Sequence, residues 1–303
     1  MINYSLKPIQ NIVYNGKIIS SFITGKEQNI DQATVDAFGE EWTKFASFSN
    51  SEIQAAGDEY FDIVPPQIFD KERTIALDLG CGTGRWAKYL ASKVKFVEAI
   101  DPSKAVFSAV DFTTDVQNIR ISQASVESIP FPDESFDFVM SLGVLHHVPD
   151  TQEALNKLVK KLKIGGYCLI YLYYALDNRP FYYKGLFYIS NFFRWWISRL
   201  PNSLKKMCCD IIAILGYMPF VVLARFVKKL FPTQKYYEKV PLFYYINKSF
   251  HIIRNDALDR FGTPLEQRFT KQEVIKMMEN AGLADIVVSP HMPCWHAIGK
   301  RKK

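Results

Sequence analysis

The 303-residue chain is 48% hydrophobic and 22% charged, a balance that excludes wholesale disorder, and it is long enough for one large α/β domain with an elaboration or for two small domains. Its formal charge of +6 is modest but unevenly placed: nine Lys or Arg residues and one acid, Asp210, lie between Arg179 and Lys229, a positive belt suited to anionic lipid, an acidic substrate or solvent. Five cysteines, with Cys208 and Cys209 adjacent, form no regular disulfide or zinc framework and fit a reducing compartment.

The opening MINYSLKPIQ has neither the charged start nor the apolar run of a secretory signal, so a cytoplasmic location is the expectation. Through Ile68 the chain is mixed, with helices expected from Asp31 to Phe45 and from Ser51 to Tyr60 before Pro65 and Pro66 stop helical continuation. From Thr74 short apolar runs alternate with amphipathic stretches. TIALDLG reads as a strand entering a Gly-rich turn, with a helix from Arg85 to Ser92 after it. Lys95 to Ile100 is a second strand, and a helix starts at Pro102 and Ser103 and runs towards Asp111. Further strands are expected over Asn118 to Ser122, Phe136 to Ser141 and Tyr167 to Tyr173. The helix from Gln152 to Leu162 places Ala154, Leu155, Leu158, Val159 and Leu162 on one face. Parallel strands joined by covering helices account for this alternation.

The alternation stops at Asp177. Pro180 to Tyr245 form an aromatic and basic insertion, with nine Phe, Tyr or Trp residues between Arg179 and Arg199, read as two or three helices broken around Pro201, Pro219 and Pro232. Apolar residues run uncharged from Ile211 to Ala224, too short a stretch for an ordinary spanning helix and interrupted by Gly216 and Pro219. Peripheral membrane contact through 180–230, at the inner face of the membrane, stays open beside a buried cap or a homodimer interface. Thr270 is an N-cap for a helix through Asn280, with Gly282 suited to its C-terminal turn. Closing strands are expected at Ile286 to Ser289 and Cys294 to Ile298. The chain thus divides into an N-terminal helical cap over 1–70, a core of 71–176 with 254–303, and an insertion over 177–253.

The residues Leu77 to Arg85 read LDLGCGTGR, and glycines at 80, 82 and 84 leave the backbone open to a ligand. Asp101 stands at the end of the second strand, where a carboxylate accepts both hydroxyls of a ribose. There is no GxxxxGK sequence, which disfavours a nucleoside triphosphate; a redox dinucleotide and a scaffold without ligand are the structural alternatives.

With these motifs the chain from about Phe38 resembles the class I S-adenosylmethionine-dependent methyltransferases. The first motif of that family corresponds to Asp78, Gly80, Cys81, Gly82 and Gly84, and its ribose-binding acid to Asp101, followed by Pro102. ASVESIPFPDESFDFVMSLGVLHHVPD resembles the adenine loop and the strand beyond it. The resemblance implies that Val126 and Glu127 lie by the adenine and that Ser141, Leu142 and Gly143 face the cofactor. It also implies an α/β, doubly wound, seven-stranded and mostly parallel sheet with a helical N-terminal cap and an inserted helical lid. FGEEW, Phe38 to Trp42, resembles a leader whose helices close over the cofactor; Trp42 and Tyr60 would then cover its methionine end, or simply pack the cap.

The chemistry implied is methyl transfer from S-adenosyl-L-methionine to an oxygen or nitrogen of a small molecule, a glycan precursor or secondary metabolite. The alternative is a cofactor-binding scaffold or regulator without turnover. His146 and His147 follow the fourth strand at the rim where open α/β sheets bind ligands, and either is a candidate base or a structural and cofactor-positioning group. Tyr236, Tyr237, Tyr244, Tyr245, His251, Arg254 and Arg260 are candidate acceptor contacts, with packing as the competing account of each. DALDRFGTP, Asp256 to Pro264, resembles sequences of bacterial enzymes linked to glycan or secondary-metabolite pathways. No nucleic-acid module accompanies the insertion. No metal set is expected either, since His251, His291 and His296 are dispersed.

Overall fold

A computed structural model describes residues 1–44, 49–177, 181–293 and 295–302. The chain forms two compact units, one made of Met1–Asp177 with Leu265–Lys303 and the other of Asn178–Pro264.

The first unit is built on one sheet of nine strands: β1 Gln10–Tyr14, β2 Lys17–Ser21, β3 Ile75–Leu79, β4 Phe96–Asp101, β5 Ile119–Gln123, β6 Phe136–Leu142, β7 Leu162–Tyr171, β8 Leu283–Val288 and β9 His296–Arg301. Their spatial order is β1-β2-β5-β4-β3-β6-β7-β9-β8. The strands from β2 through β5, β4, β3 and β6 to β7 are parallel neighbours, whereas β1 pairs antiparallel with β2 and β9 runs antiparallel to both β7 and β8. This mixed nine-stranded sheet corrects the expected seven-stranded one. The additional pair is the hairpin β1–β2, which enters an N-terminal segment expected to be a helical cap. Its turn is Asn15-Gly16, both at positive φ, 46° and 74°, as a tight two-residue hairpin turn requires. The hairpin adds to the sheet by pairing Ser20 with Ser122 and Ser21 with Gln123.

Alternate residues of the central strands go to opposite faces. Ala76, Phe138, Met140 and Leu169 join one core with Trp86, Leu90 and Val106, while Leu77, Val139 and Ile170 join another with Leu155, Leu158 and Val274. The covering helices are α1 Gln32–Lys44, α2 Asn50–Tyr60, α3 Arg85–Ala91, α4 Ala105–Phe112 and α5 Thr151–Lys161. The Asp150 side chain accepts the Glu153 N–H at 2.8 Å at the head of α5.

The second unit is helical: α6 Phe181–Ile197, α7 Asn202–Ile211, a π-helical turn Ile212–Tyr217, α8 Met218–Leu230 and α9 Phe250–Gly262. Its core gathers Ile197, Cys209, Tyr217, Val221, Tyr245, Ile253 and Phe261. Pro201 precedes α7 as expected, but Pro219 does not break the chain into separate helices. Asn202–Leu230 is one continuous helix of 29 residues. The wider π turn directly before Pro219 absorbs the irregularity that its missing N–H and ring impose on an α-helical ladder.

Returning to the first unit, α10 Lys271–Asn280 is capped by Thr270, whose hydroxyl accepts the Glu273 N–H while Glu273 reaches back to the Thr270 N–H. The last two strands each sit close to their expected places, their ends displaced by one to three residues. The predicted boundaries at Phe45, Pro180 and Cys294 lie outside the described residues.

Candidate functional site

The carboxyl ends of β5, β4, β3, β6 and β7 form one edge of the parallel sheet, the edge where open α/β sheets bind ligands. After β3 the chain turns sharply, with the Gly80 and Cys81 N–H groups both donating to Ile100 O at 2.8 and 3.0 Å. Gly80 has φ 78°, and a Cβ there would lie 2.5 Å from the Val144 side chain. Gly82 has φ 52° and its backbone lies beneath Trp42, whose Nε1 would be 3.4 Å from an added Cβ. At Gly80 both the conformation and the close approach require glycine, whereas at Gly82 the positive φ alone favours it. Gly84 begins α3 in the left-handed conformation.

Two carboxylates flank the turn. Asp101 Oδ2 accepts the Gly82 N–H at 3.0 Å, and its Oδ1 accepts the Ser103 N–H at 2.8 Å and the Ser103 hydroxyl at 2.6 Å. Burial nevertheless raises its pKa, against the pull of those bonds. Asp78 is more isolated: it is 1% exposed and neither oxygen has a hydrogen-bond partner among the described residues. Burial first, and then the charge of Asp101, push its pKa to about 8; Arg85 and the Ala87 N–H, the latter outside hydrogen-bonding geometry, oppose the shift. The Arg85 guanidinium lies 5.4 Å from the Trp42 ring and 4.6 Å from that of Trp86. Cys81 is buried with its thiol pKa well raised, first by burial, so it is no ready nucleophile.

Beyond β5, Val126 is buried and Glu127 is half-buried. The Glu127 carboxylate accepts the Gln28 N–H at 2.7 Å and meets Lys157 Nζ at 3.3 Å, so it anchors the N-terminal segment to α5. Pro102 O accepts the Gln123 amide at 3.3 Å. The buried Ser141 hydroxyl donates to Leu79 O at 3.0 Å, tying β6 to β3, and Leu142 is buried beside it. Gly143 continues at φ 79°, its N–H donating to Tyr171 O at 3.1 Å.

An aromatic cluster closes this edge. His146 is fully buried and stacks on Tyr173 with ring centroids 3.9 Å apart, and His147 lies 4.1 Å from His146. Among the described residues neither His146 nitrogen has a hydrogen-bond partner. Burial, then the charges of His147 and Arg268, hold its pKa well below the ordinary histidine value, so the ring is neutral at neutral pH. His147 Nδ1 is 2.7 Å from Leu265 O, an arrangement that places the proton on Nδ1 and makes Nε2 the acceptor in the neutral ring. Tyr60 packs between Trp86 at 4.8 Å and Tyr171 at 5.2 Å.

Sequence reading passes over Tyr171, Tyr173 and Arg268. The two tyrosines alternate at the end of β7 and are recognisable once that strand's end is located, whereas Arg268 carries no local signal. Its guanidinium lies 5.4 Å from the Tyr173 ring and meets Glu266 at 2.7 Å.

The candidate acceptor residues lie in the helical unit. Tyr245 is in that unit's core, and Arg254 is held by Asp210, with Nη2 2.7 Å from Oδ2. Arg260 faces Asp256 at 3.8 Å. Tyr236 is exposed, and Tyr237, Tyr244 and His251 are half-buried. Among the described residues no group of three or more His, Cys, Asp or Glu side chains could hold a metal ion. His296 instead contacts Asp62 at 2.7 Å and Pro293 O at 2.6 Å.

A family model described as a methyltransferase domain matches residues 77–170, the stretch from β3 through β7 that carries the glycine turn, Asp101 and both histidines. The stretch 77–170 is thus a methyltransferase domain, similar to those of the class I S-adenosylmethionine-dependent enzymes. An uncharacterized methyltransferase of Bacillus subtilis, YcgJ, is 33% identical over 105 residues, covering 34% of this methyltransferase and 42% of the relative. An uncharacterized methyltransferase of Mycobacterium bovis is 29% identical over 129 residues, 43% of this chain and 62% of its own. A demethylmenaquinone methyltransferase of Anoxybacillus flavithermus is 32% identical over 136 residues, 40% and 54% respectively. The methyltransferase therefore spans 42% to 62% of the length of these relatives.

Its cofactor is S-adenosylmethionine, and the residues present fit that group. The cofactor offers an ammonium group for the orphaned carboxylate of Asp78 and ribose hydroxyls for Asp101. Gly80 lets the turn pack tightly against Val144 beside these two carboxylates.

Proposed function

We propose that this methyltransferase transfers a methyl group to an oxygen or nitrogen of a small molecule, a glycan precursor or secondary metabolite, in the cytoplasm. The observation that carries the donor half of this reading is Asp78, a buried carboxylate beside the glycine turn with no hydrogen-bond partner among the described residues. Leaving such a group unpaired is costly, and a cationic ligand supplies what the protein does not.

When bound, S-adenosylmethionine supplies an electrophilic methyl group on a sulfonium. The chain's part is to hold and to orient. Asp78 pairs with the ammonium group, and Asp101, already fixed by Gly82 and Ser103, accepts from the ribose. His147, with its Nδ1 proton directed at Leu265 O, presents Nε2 as the acceptor for the proton of a hydroxyl nucleophile, or for the proton an ammonium group gives up to become the nucleophilic amine. The neutral His146 is a weak base because its depressed pKa makes a captured proton easy to lose, and it stacks on Tyr173.

The test couples calorimetry with S-adenosylmethionine to isotope-labelled methyl transfer into a small-molecule extract of the native cell. Saturable binding followed by a labelled low-mass product supports the reading. Tight binding with no labelled small molecule, and instead a stable complex with another protein, would replace it by a scaffold or regulatory role.

A further inference from the structure

The helical unit wears its apolar residues on the outside. At 100° per residue, Tyr188, Ile189, Phe192, Phe193, Trp195 and Trp196 fall on one half of α6, and all six are exposed, Tyr188 by 71%. The opposite half, which packs against α9, carries Ser190, Asn191 and Arg194 beside the half-buried Phe187 and the core residue Ile197, with the Arg194 Nε donating to Asn191 at 2.9 Å and its Nη1 donating to Thr263 O at 3.4 Å. A water-facing helix keeps its polar side outermost, whereas the outer half of α6 is apolar, as is part of its packed half.

The long helix Asn202–Leu230 repeats the feature. Cys209, Ala213, Tyr217 and Val221 form its inner stripe, yet Met207, Ile211, Ile214, Leu215, Val222 and Phe226 on other sides are exposed. Only 28% of its most apolar window is buried, so it is not a core helix. Contiguous exposed apolar surface of this kind marks an interaction face.

Charge selects the partner. Residues 178–264 hold fourteen Lys or Arg against four Asp or Glu, a net +10, while the rest of the chain is net −4. The basic groups border the apolar stripes: Lys184 and Arg199 on the α6 side, Arg225, Lys228 and Lys229 at the end of α8. The Arg199 guanidinium lies 4.3 Å from the Trp195 ring, so an aromatic body and a cationic head occur together. Aromatic and aliphatic side chains edged by cations match the boundary between acyl chains and anionic headgroups.

We propose that the helical unit docks on an anionic bilayer surface, such as the cytoplasmic leaflet, with the outer faces of α6 and Asn202–Leu230 in the headgroup region. The long helix lies in the interface and does not span. About 43 Å of helix would be long enough to cross. However, its inner side carries the Asp210–Arg254 pair and the Tyr217–Asp256 hydrogen bond at 3.0 Å, which a span would bring into hydrocarbon. This docking stands independently of methyl transfer.

Flotation of the full chain with equimolar phosphatidylglycerol and phosphatidylcholine vesicles, and with phosphatidylcholine alone, tests it. The wild type floats with the anionic vesicles, and its tryptophan emission shifts to shorter wavelength. Phe192→Glu with Trp196→Glu abolishes flotation while circular dichroism and S-adenosylmethionine affinity stay unchanged. Lys228→Gln with Lys229→Gln weakens partitioning to the anionic vesicles by about fivefold for each lysine. A wild type that stays in solution with anionic vesicles overturns the proposal. So does a wild-type dimer that ignores vesicles and becomes monomeric in Phe192→Glu with Trp196→Glu, because a second copy would then cover the face.

Discussion

The sheet unit and the helical unit handle apolar side chains in opposite ways. In the first, β3 sends Ala76 to one covered face and Leu77 and Leu79 to the other, all buried, and isolates a carboxylate between them at Asp78. In the second, α6 turns Arg194 and Asn191 inwards and Phe192, Phe193, Trp195 and Trp196 outwards. Folding alone explains neither Asp78 nor the outer face of α6, since each lowers the stability or solubility of the isolated chain. The donor reading gives Asp78 a small cation to meet, and the docking proposal gives the outer face of α6 an extended apolar, anionic surface.

Removing the charge of Asp78 produces the largest expected effect. Asp78→Asn weakens S-adenosylmethionine binding at least a hundredfold, from the roughly 3–5 kcal/mol lost when one partner of a buried pair is removed. The pH dependence distinguishes this from a loss of folding. The folded carboxyl titrates at about 8, against ~4 for an unfolded aspartate. The ligand-free folded state thus holds a proton that the unfolded chain has released, and stability falls as pH rises through that interval. Asp78→Asn removes this slope and raises the urea midpoint of the ligand-free protein at pH near 8. In the wild type, cation binding expels the proton, so calorimetry finds affinity increasing with pH up to that value. A slope unchanged in Asp78→Asn would break the contrast at its first member.

The second member is tested by Ile253→Ala in α9, a core position with 1% exposure. Its loss destabilises the helical unit by about 2–5 kcal/mol, visible as earlier loss of helical signal in urea. S-adenosylmethionine affinity at low urea stays at the wild-type value if the donor site depends on the sheet unit alone. A parallel loss of affinity would merge the two regions energetically. His147→Ala sharpens the donor side further: turnover falls roughly a hundredfold with binding retained if Nε2 takes the proton. Normal turnover across neutral pH would return His147 to a purely structural role.

The sequence made the donor side legible because its requirements are local. Gly80, Gly82 and Gly84 stand on consecutive alternate positions, and Asp101 ends the next strand. The Asn15-Gly16 turn is equally local, but a reading of the first 70 residues by helical period passes over it and misses the hairpin that makes the sheet nine-stranded. Pro219 carries the reverse lesson, since a real breaking tendency is overruled by the preceding π turn within a continuous helix. The isolation of Asp78, the stacking of His146 on Tyr173 and the exposed apolar face of α6 depend on burial by residues distant in sequence. No spacing rule encodes which half of an all-round apolar helix will be covered.

Thr270 offers the smallest test and the one closest to sequence. It is the predicted N-cap of α10, and its box with Glu273 satisfies two N–H groups that the first helical turn would otherwise leave without an intrahelical partner. Thr270→Ala removes the acceptor for the Glu273 N–H and costs about 1 kcal/mol. α10 packs Val274 and Met278 into the same core as Leu77 and Leu155, so this loss lowers the urea midpoint of the sheet unit. The helical signal from the other unit is unaffected. Thr270→Ser, which keeps the acceptor, restores most of the midpoint, whereas equal losses in the two variants would mean that packing of the methyl group, and not the cap, holds the start of α10.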